Sequence, residues 1–277
     1  MLFASASAFG QTAYAMQFNQ ANNLFGLIDL LDGNFTQLGA EGPTLFNDIA
    51  ASSSGTLYGI VNTASLVTLN PNNGAVLTSV NFNVGGIESL AIAPNGTLYG
   101  ATQGALYTVN PLNGQATLVG AFDDSAIGNS GQNIRFGSDG FLYDTDGGVS
   151  ANNTQLFRIS TVNGQATLVG VITNFPGMCL ENAGSQLYGV GIQLGAASSL
   201  MQDLVGIDLS SLVLGGTNAN GSPVDIRYNL LTADFPNNFN ISSADTFIVP
   251  APEPDSISLS IMGGLMLLLA SSSRKRD

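Results

Sequence analysis

The sequence predicts an all-β fold, and three observations lead to it: a recurring Leu-Tyr segment, a recurring Asn-Gly turn and a composition poor in charge. Gly-Thr-Leu-Tyr-Gly at 55–59 returns at 96–100, and variants stand at 140–144 and 185–189, a period of 41 to 45 residues. Charged residues make up 9% of the chain, against roughly 25% in an ordinary soluble domain. Gly, Asn, Ser and Thr supply the polarity instead, and Gly and Asn suit the tight turns between short strands.

Each of the first three Leu-Tyr segments is followed by a predicted hairpin, in which an Asn-Gly turn joins two apolar runs. These hairpins occupy 66–80, 106–120 and 156–170. The octapeptide Asn-Gly-Gln-Ala-Thr-Leu-Val-Gly is identical at 113–120 and 163–170, and weaker copies of the hairpin stand at 25–39 and 205–216. Asn-Gly is a preferred dipeptide of two-residue hairpin turns, because both positions require positive φ.

The repeat unit as a whole reads as four short antiparallel strands. In one unit they are predicted at Ser89–Ala93, Thr97–Ala101, Ala105–Asn110 and Ala116–Ala121. A four-stranded unit that returns every 40 to 45 residues matches a β-propeller blade. Full units begin near Phe46, Ile87, Gln132 and Met178. Strand-like runs within 224–249 are expected to join 25–39 in a composite blade, which gives five blades, with six as the alternative count.

The charge balance excludes several classes of partner. The formal net charge is −13, and residues 1–250 contain only three cations, Arg135, Arg158 and Arg227. Nucleic-acid binding is excluded, because neutralising phosphates requires clustered Lys and Arg. The domain itself is equally unsuited to an anionic membrane surface, so contact with a membrane is expected only through the C-terminal segment.

The residue inventory argues against common catalytic machinery. The chain has no His, which excludes His-based triads, acid–base pairs and metal sites. Its single cysteine, Cys179, cannot form an intramolecular disulfide and is expected to be a small buried apolar residue. We therefore expect no enzyme and no catalytic residues. A carboxylate-based activity in the propeller channel remains an alternative, and it would need at least two convergent Asp or Glu side chains.

One loop is a weak candidate for calcium, and no other cofactor is expected. Asp139, Asp144 and Asp146 alternate with Gly and could offer oxygen ligands to Ca²⁺. The spacing is incomplete and no ligating Glu follows, so an acidic, solvated turn is the simpler interpretation. The tyrosines of the Leu-Tyr segments recur at the blade period, which favours packing between neighbouring blades over the alternative of stacking on sugars; they are Tyr58, Tyr99, Tyr143 and Tyr188.

The C-terminal tail has three parts in a fixed order. A Pro-rich linker at 250–256 contains Pro252, Glu253 and Pro254, an apolar segment follows at 257–273, and residues 274–277 carry the basic cluster Arg274, Lys275 and Arg276. An apolar segment followed by cations stops translocation and leaves the cations in the cytoplasm. The tail therefore predicts a short transmembrane helix with the domain on the far side of the membrane.

This tail resembles the PEP-CTERM sorting signal of Gram-negative bacteria, through the Pro-Glu-Pro motif, Gly263-Gly264-Leu265 in the apolar run and the terminal basic cluster. The resemblance covers about the last 26 residues. It implies recognition of the motif by an exosortase and transfer outward from the inner membrane, to the cell surface or an exopolysaccharide-rich matrix. The Leu-Tyr and Asn-Gly units similarly resemble repeats of secreted bacterial propeller-like proteins.

The N-terminus predicts export as well. Residues 1–15 are rich in Ala and Ser, and Ala13-Tyr14-Ala15 has the small-x-small form of a signal-peptidase site. We expect residues 1–15 to be the remnant of a signal peptide, which leaves a repeat domain at 16–249 that begins with Met16.

Three functions follow from these features, in order of expectation. The first is a non-catalytic structural or adhesive role in the extracellular matrix, for an exported protein handled by signal peptidase and exosortase. The second is a glycan- or calcium-binding propeller module. The third is the carboxylate-based enzyme of the channel.

Overall fold

The structure is a computed structural model that describes residues 12–18, 23–29, 34–40, 46–122, 133–145, 153–175, 179–183, 186–191, 203–215, 226, 228–232 and 247–250. Residues 146 and 251–277 lie outside this range. The predicted Pro-Glu-Pro motif, apolar segment and basic cluster are therefore outside the described residues, as is Asp146. Within the described part of the chain, no helix is long and apolar enough to cross a membrane.

Five antiparallel sheets of four strands make up the described structure. Blade 1 holds β1 (Thr12–Phe18), β2 (Asn23–Asp29), β3 (Phe35–Ala40) and β20 (Phe247–Pro250). Blade 2 holds β4 (Phe46–Ala51), β5 (Leu57–Val61), β6 (Ser65–Leu69) and β7 (Val76–Asn81). Blade 3 holds β8 (Ser89–Ile92), β9 (Leu98–Thr102), β10 (Ala105–Val109) and β11 (Ala116–Ala121).

The last two blades follow the same plan. Blade 4 holds β12 (Arg135–Phe136), β13 (Leu142–Thr145), β14 (Asn153–Ile159) and β15 (Ala166–Thr173). Blade 5 holds β16 (Cys179–Ala183), β17 (Gln186–Gly191), β18 (Asp203–Ile207) and β19 (Tyr228–Thr232), with a short 3₁₀ helix at Leu209–Ser211.

The five sheets are arranged as a ring. Strands β20, β4, β8, β12 and β16 each lie at one edge of their sheet, and each contacts the next in that order until β16 meets β20. They are the innermost strands, and they surround the axis of the molecule. The prediction of a five-bladed β-propeller with four-stranded blades is confirmed, and the strands of blade 3 were predicted to within one residue at each end.

Blade 1 closes the ring by joining the two ends of the described chain. Strand β20 pairs antiparallel with β1, from Ala13↔Pro250 to Met16↔Phe247, and β1 pairs with β2 on its other edge. The predicted composite blade is confirmed, but its make-up differs. Of the described strands in the 224–249 region, β20 enters it, while β19 completes blade 5.

The second strand of blade 1 comes from residues that the sequence analysis assigned to a signal peptide. Tyr14 pairs with Leu27 as Tyr58 pairs with Thr68 in blade 2, so Ala13-Tyr14-Ala15 occupies the place of Leu-Tyr-Gly. Ala13 and Ala15 are buried, and the ring of Tyr14 stacks on that of Phe25 at 5.6 Å. The small residues that suggested a cleavage site are thus a degenerate copy of the repeat.

The structure places residues 12–15 in β1, ahead of the predicted start of the repeat domain at residue 16. Cleavage between Ala15 and Met16 would divide β1 between residues that pair with both β2 and β20. It would also remove buried side chains from the core of blade 1. The predicted cleavage site therefore falls inside β1, and cleavage there stays a prediction.

The hydrophobic cores lie between neighbouring blades. One cluster joins Tyr143 and Leu156 of blade 4 to Leu180 and Val205 of blade 5. A second holds Tyr99 of blade 3, whose ring meets that of Phe136 in blade 4 at 5.7 Å. Tyr58 packs against a third cluster, which joins blades 2 and 3. For these three tyrosines, the predicted packing between neighbouring blades is confirmed.

The Asn-Gly turns also hold neighbouring blades together. A Cβ at Gly39, near the outer end of blade 1, would overlap the carbonyl oxygen of Asn73 in the turn of blade 2. The same relation holds between Gly120 of blade 3 and Asn163 of blade 4. The octapeptide at 113–120 therefore contacts both neighbouring blades. Its Asn-Gly turn packs on the preceding blade, and its final Gly contacts the Asn-Gly turn of the next blade.

Replacement of Gly120 by Ala is expected to destabilise the fold, because the new methyl group would overlap backbone atoms of the next blade, which cannot rotate away. We expect a loss of about 1–3 kcal/mol in the free energy of unfolding, the usual cost of overpacking. Chemical denaturation checks this. Gly104→Ala is the matched control, since a Cβ there meets no atom within 4 Å. Equal stabilities of the two variants would contradict the interface described here.

Candidate functional site

Four polar residues from the innermost strands meet on the propeller axis. Asp48 comes from β4, Ser89 from β8, Arg135 from β12 and Glu181 from β16, so four of the five blades each contribute one. All four side chains are at most 2% exposed. Burial of charged groups costs free energy unless they are paired and hydrogen-bonded. We call this set the axial cluster.

Arg135 is the centre of the axial cluster. Its Nη2 donates to Asp48 Oδ1 at 2.7 Å and its Nη1 donates to Asp48 Oδ2 at 2.9 Å, a bidentate pair across the axis. Nε and Nη2 both donate to Glu181 Oε2, at 3.1 and 2.9 Å. Nη1 also donates to the carbonyl oxygens of Leu90 and Ile134. The planar fork of a guanidinium suits this demand, because it offers five donors in fixed directions.

Asp48 is satisfied on all sides. Its Oδ1 also accepts the backbone N–H of Ile49, and its Oδ2 accepts the hydroxyl of Ser89 and the N–H of Leu90. Ser89 in turn accepts the N–H of Ile134 at 3.0 Å, which carries the network from blade 3 to blade 4. The cluster thus links backbone and side chains across three consecutive blades before Glu181 adds the fourth.

The electrostatics of the axial cluster favour a charged guanidinium. Burial on its own would lower the pKa of Arg135, but the charges of Asp48 and Glu181 and their hydrogen bonds more than reverse this and raise the pKa above its ordinary value. Arg135 therefore carries its positive charge at neutral pH, beside both buried carboxyl groups.

What the axial cluster can do chemically depends on which of its carboxylate oxygens are already hydrogen-bonded. Asp48 and Glu181 do converge, which is what a carboxylate-based activity in the channel would need. However, both oxygens of Asp48 and Oε2 of Glu181 already accept hydrogen bonds from Arg135. A general base requires a carboxylate within reach of its substrate, and the guanidinium occupies both oxygens of Asp48. As it stands, the cluster ties blades together.

The sequence analysis did not identify the axial cluster, although a signal for it exists. Asp48, Ser89, Arg135 and Glu181 each stand six to nine residues before the Leu of a Leu-Tyr segment, within otherwise largely apolar first strands. Polar residues near the start of successive repeat units, with a lone Arg among acids, indicate convergence on the axis. Strand alternation alone could not show this, because the partners lie 41 to 87 residues apart in the chain.

The three aspartates of the calcium prediction are placed as follows. Asp139 stands in the turn between β12 and β13, where its carboxylate accepts the Tyr143 hydroxyl at 2.6 Å and the N–H of Phe141. Asp144 is buried within β13 and accepts the N–H of Thr145. Among the described residues, no three His, Cys, Asp or Glu side chains are grouped so as to hold a metal ion. Asp146 lies outside them, so calcium binding by this loop stays a prediction.

Comparison with known proteins supports the architecture. No protein-family model and no curated protein matches the chain. Its fold is similar to that in a crystal structure of a nidogen/laminin complex, at 13% identity over 87% of this chain and 98% of that one, with a TM-score of 0.50. At this identity the similarity concerns the fold alone.

Two further structures have lower TM-scores. TolB from Acinetobacter baumannii is 13% identical over 88% of this chain and 67% of its own, with a TM-score of 0.47. Hydrazine synthase from Kuenenia stuttgartiensis is 19% identical over 67% of this chain, with a TM-score of 0.40. The match spans about half of that synthase chain, 49% of its length.

Replacement of Arg135 by Met is expected to destabilise the fold severely, because Asp48 and Glu181 would stay buried without their counter-charge. The free energy of unfolding should fall by about 3–5 kcal/mol. The triple variant Asp48→Leu/Arg135→Met/Glu181→Met carries no stranded charge and should be more stable than Arg135→Met alone. Denaturant titration of both variants checks this. A triple variant that is less stable than the single one would show that charge is not the source of the loss.

Stability should fall at alkaline pH through Tyr143. Burial, the hydrogen bond to Asp139 and the Asp139 charge raise the pKa of the Tyr143 hydroxyl, against an opposing effect of Arg158. The hydroxyl of an unfolded tyrosine ionises at about pH 10. The contribution of the neutral Tyr143 hydroxyl to the free energy of unfolding is therefore complete below about pH 10. It is lost as the pH rises from there towards the pKa of Tyr143 in the folded protein.

The test compares wild type with Tyr143→Phe by measuring the free energy of unfolding at several pH values between 8 and 11. The variant should lose less stability over this interval. Identical pH dependence in the two proteins would refute the assignment to Tyr143.

Proposed function

We propose that this chain is an exported, non-catalytic propeller, sorted by its C-terminal tail from the inner membrane to the cell surface or the extracellular matrix, where it has a structural or adhesive role. The single observation that carries the non-catalytic part is the axial cluster. Polar groups that converge on the axis bond to one another there, and the carboxylates face a guanidinium.

The composition supports a role outside the cell. The formal net charge of −13 opposes binding to an anionic membrane, and the absence of His leaves few residues suited to acid–base work at neutral pH. The order of Pro-Glu-Pro, apolar segment and basic cluster supports handling by an exosortase at the membrane. An extracellular polysaccharide is the partner that this sorting route implies.

A ligand-binding propeller is the second candidate. The observation that favours it is a depression on blade 4, where Arg158 stacks on a partly exposed Phe141. This function is compatible with the first, since an adhesive matrix protein needs a surface that holds a polymer.

Sorting is tested in the native cells with the triple variant Pro252→Ala/Glu253→Ala/Pro254→Ala, and with Ser271→Ala/Ser272→Ala/Ser273→Ala as the matched control. Wild type and control should be recovered with the exopolysaccharide fraction, with an intact mass that places the C-terminus near residue 254. The motif variant should stay in the membrane fraction and retain Asp277, because the exosortase no longer recognises it. Cell fractionation and mass spectrometry measure both properties.

Two results would overturn this proposal. Release of the motif variant to the same extent as wild type would remove the role of Pro-Glu-Pro. A wild-type protein found only in membranes at full length would make the chain a plain anchored ectodomain.

A further inference from the structure

Blade 4 departs from the repeat at two surface positions that lie next to each other. In blades 2 and 3 the residue before Leu-Tyr is Thr56 or Thr97, whereas in blade 4 it is Phe141. The third strand shows the same change. Thr68 and Thr108 pair with a threonine on the fourth strand of their blades, and the residue that pairs with Thr167 in blade 4 is Arg158.

These changes are not needed to build a blade. Blades 2 and 3 form the same four-stranded sheet with threonine at both positions, and the fourth strands of blades 3 and 4 come from the same octapeptide. Replacing two small polar side chains by a large aromatic one and a cation adds side-chain entropy cost and an exposed apolar ring. Folding of the blade therefore does not explain why blade 4 carries an aromatic residue and a cation at these two positions.

The two new side chains act as a unit. The guanidinium carbon of Arg158 lies 3.1 Å from the centroid of the Phe141 ring, a cation–π contact that holds the guanidinium flat. Phe141 is 40% exposed. Arg158 forms no salt bridge within the described part of the chain, where the ion pairs belong to Arg135. The N–H donors at the edge of the guanidinium are therefore held in place by the ring, and among the described residues they form no ion pair.

Arg158 and Phe141 line a depression of about 390 Å³ on the surface of blade 4. Hydroxyl and amide side chains contribute one part of the wall, from Ser160, Thr161, Gln165 and Thr167. Val162 and Leu214 add apolar surface, and they are 87% and 65% exposed. The nearby Asp139 is turned back into its own loop by the Tyr143 hydroxyl and the Phe141 N–H. The depression thus offers one cation, several neutral hydrogen-bonding groups and two apolar side chains.

We propose that this depression binds a carboxylated sugar, of the uronic-acid type, as a unit of an acidic polysaccharide. The planar fork of Arg158 would pair with the carboxylate, because guanidinium and carboxylate form two parallel hydrogen bonds. The hydroxyl and amide groups match the sugar hydroxyls, and Val162 and Leu214 match the apolar C–H face of the ring. A domain of such negative charge has few places where an acidic ligand is attracted, and Arg158 provides one.

This inference deepens the proposed function, and rests on it only for the origin of the polymer. The binding test uses purified protein and does not involve sorting. Failure of the depression to bind would leave the sorting experiment unaffected, and failure of sorting would leave the binding result standing.

The experiment titrates the full chain, purified in detergent, with trigalacturonic acid and with its neutral counterpart galactotriose, by isothermal calorimetry. Trigalacturonic acid should bind and galactotriose should bind at least about tenfold more weakly, because a hydrogen-bonded charge pair is lost. Arg158→Thr should weaken binding of the acid about tenfold or more, and Arg158→Lys should restore only part of it, since Lys lacks the fork. Phe141→Thr should also weaken binding, because the guanidinium is no longer held flat.

The threonine variants restore residues that blades 2 and 3 already carry, so they are expected to fold, and their thermal unfolding confirms this. Thr108→Ala, at the place in blade 3 that corresponds to Arg158, is the matched control and should bind as wild type does. The proposal is overturned if trigalacturonic acid does not bind, if galactotriose binds equally well, or if Arg158→Thr binds unchanged. It is also overturned if a peptide with a free C-terminal carboxylate binds as tightly as the sugar acid.

Discussion

The bidentate pair between Arg135 and Asp48 is the interaction on which the rest of the ring depends. It spans the axis from blade 4 to blade 2, past Ser89 of blade 3, and the same guanidinium holds Glu181 of blade 5. A hydrophobic axis would permit small rotations of each blade, because apolar contact is not directional. Buried charges do not permit such rotations, since a misplaced blade would leave a charged group buried without its partner. We infer that the cluster fixes how the blades meet, at the expense of desolvating three charged groups.

A second constraint acts at the rim, where the repeat encodes contacts between blades. Asn-Gly is usually explained as the sequence of a tight turn, and Gly114 and Gly164 do have positive φ. The close approaches at Gly39 and Gly120 show that the turn also needs a partner without a side chain on the preceding blade. Identity between the two octapeptides therefore follows from packing as well as from turn geometry, and blades 2, 3 and 4 are restrained both at the axis and at the rim.

The sequence predicted the features that depend on neighbouring residues. It missed the axial cluster, whose members come from distant parts of the chain. The Leu-Tyr period placed the strands of blade 3 almost to the residue, because alternation and turn residues act over a few positions. Arg135 was noted only as a charge, since nothing local connects it to partners in other blades. The place of Ala13-Tyr14-Ala15 in β1 was not predicted, because small residues at a cleavage site and small residues in a tightly packed strand look alike in the sequence. The tail was predicted from its order alone, and it lies outside the described residues.

Ring closure by β20 has a consequence for the order of events during synthesis. The strand that completes blade 1 spans Phe247–Pro250, and its partner β1 begins at residue 12. A chain that is made from its N-terminus therefore waits, with β1 lacking one neighbour, until β20 has been synthesised. During that interval β4 and β16 have no strand between them at the axis, and open sheet edges invite pairing with other chains. The open edge of blade 1 is covered, and pairing with other chains is prevented there, only when β20 joins the sheet.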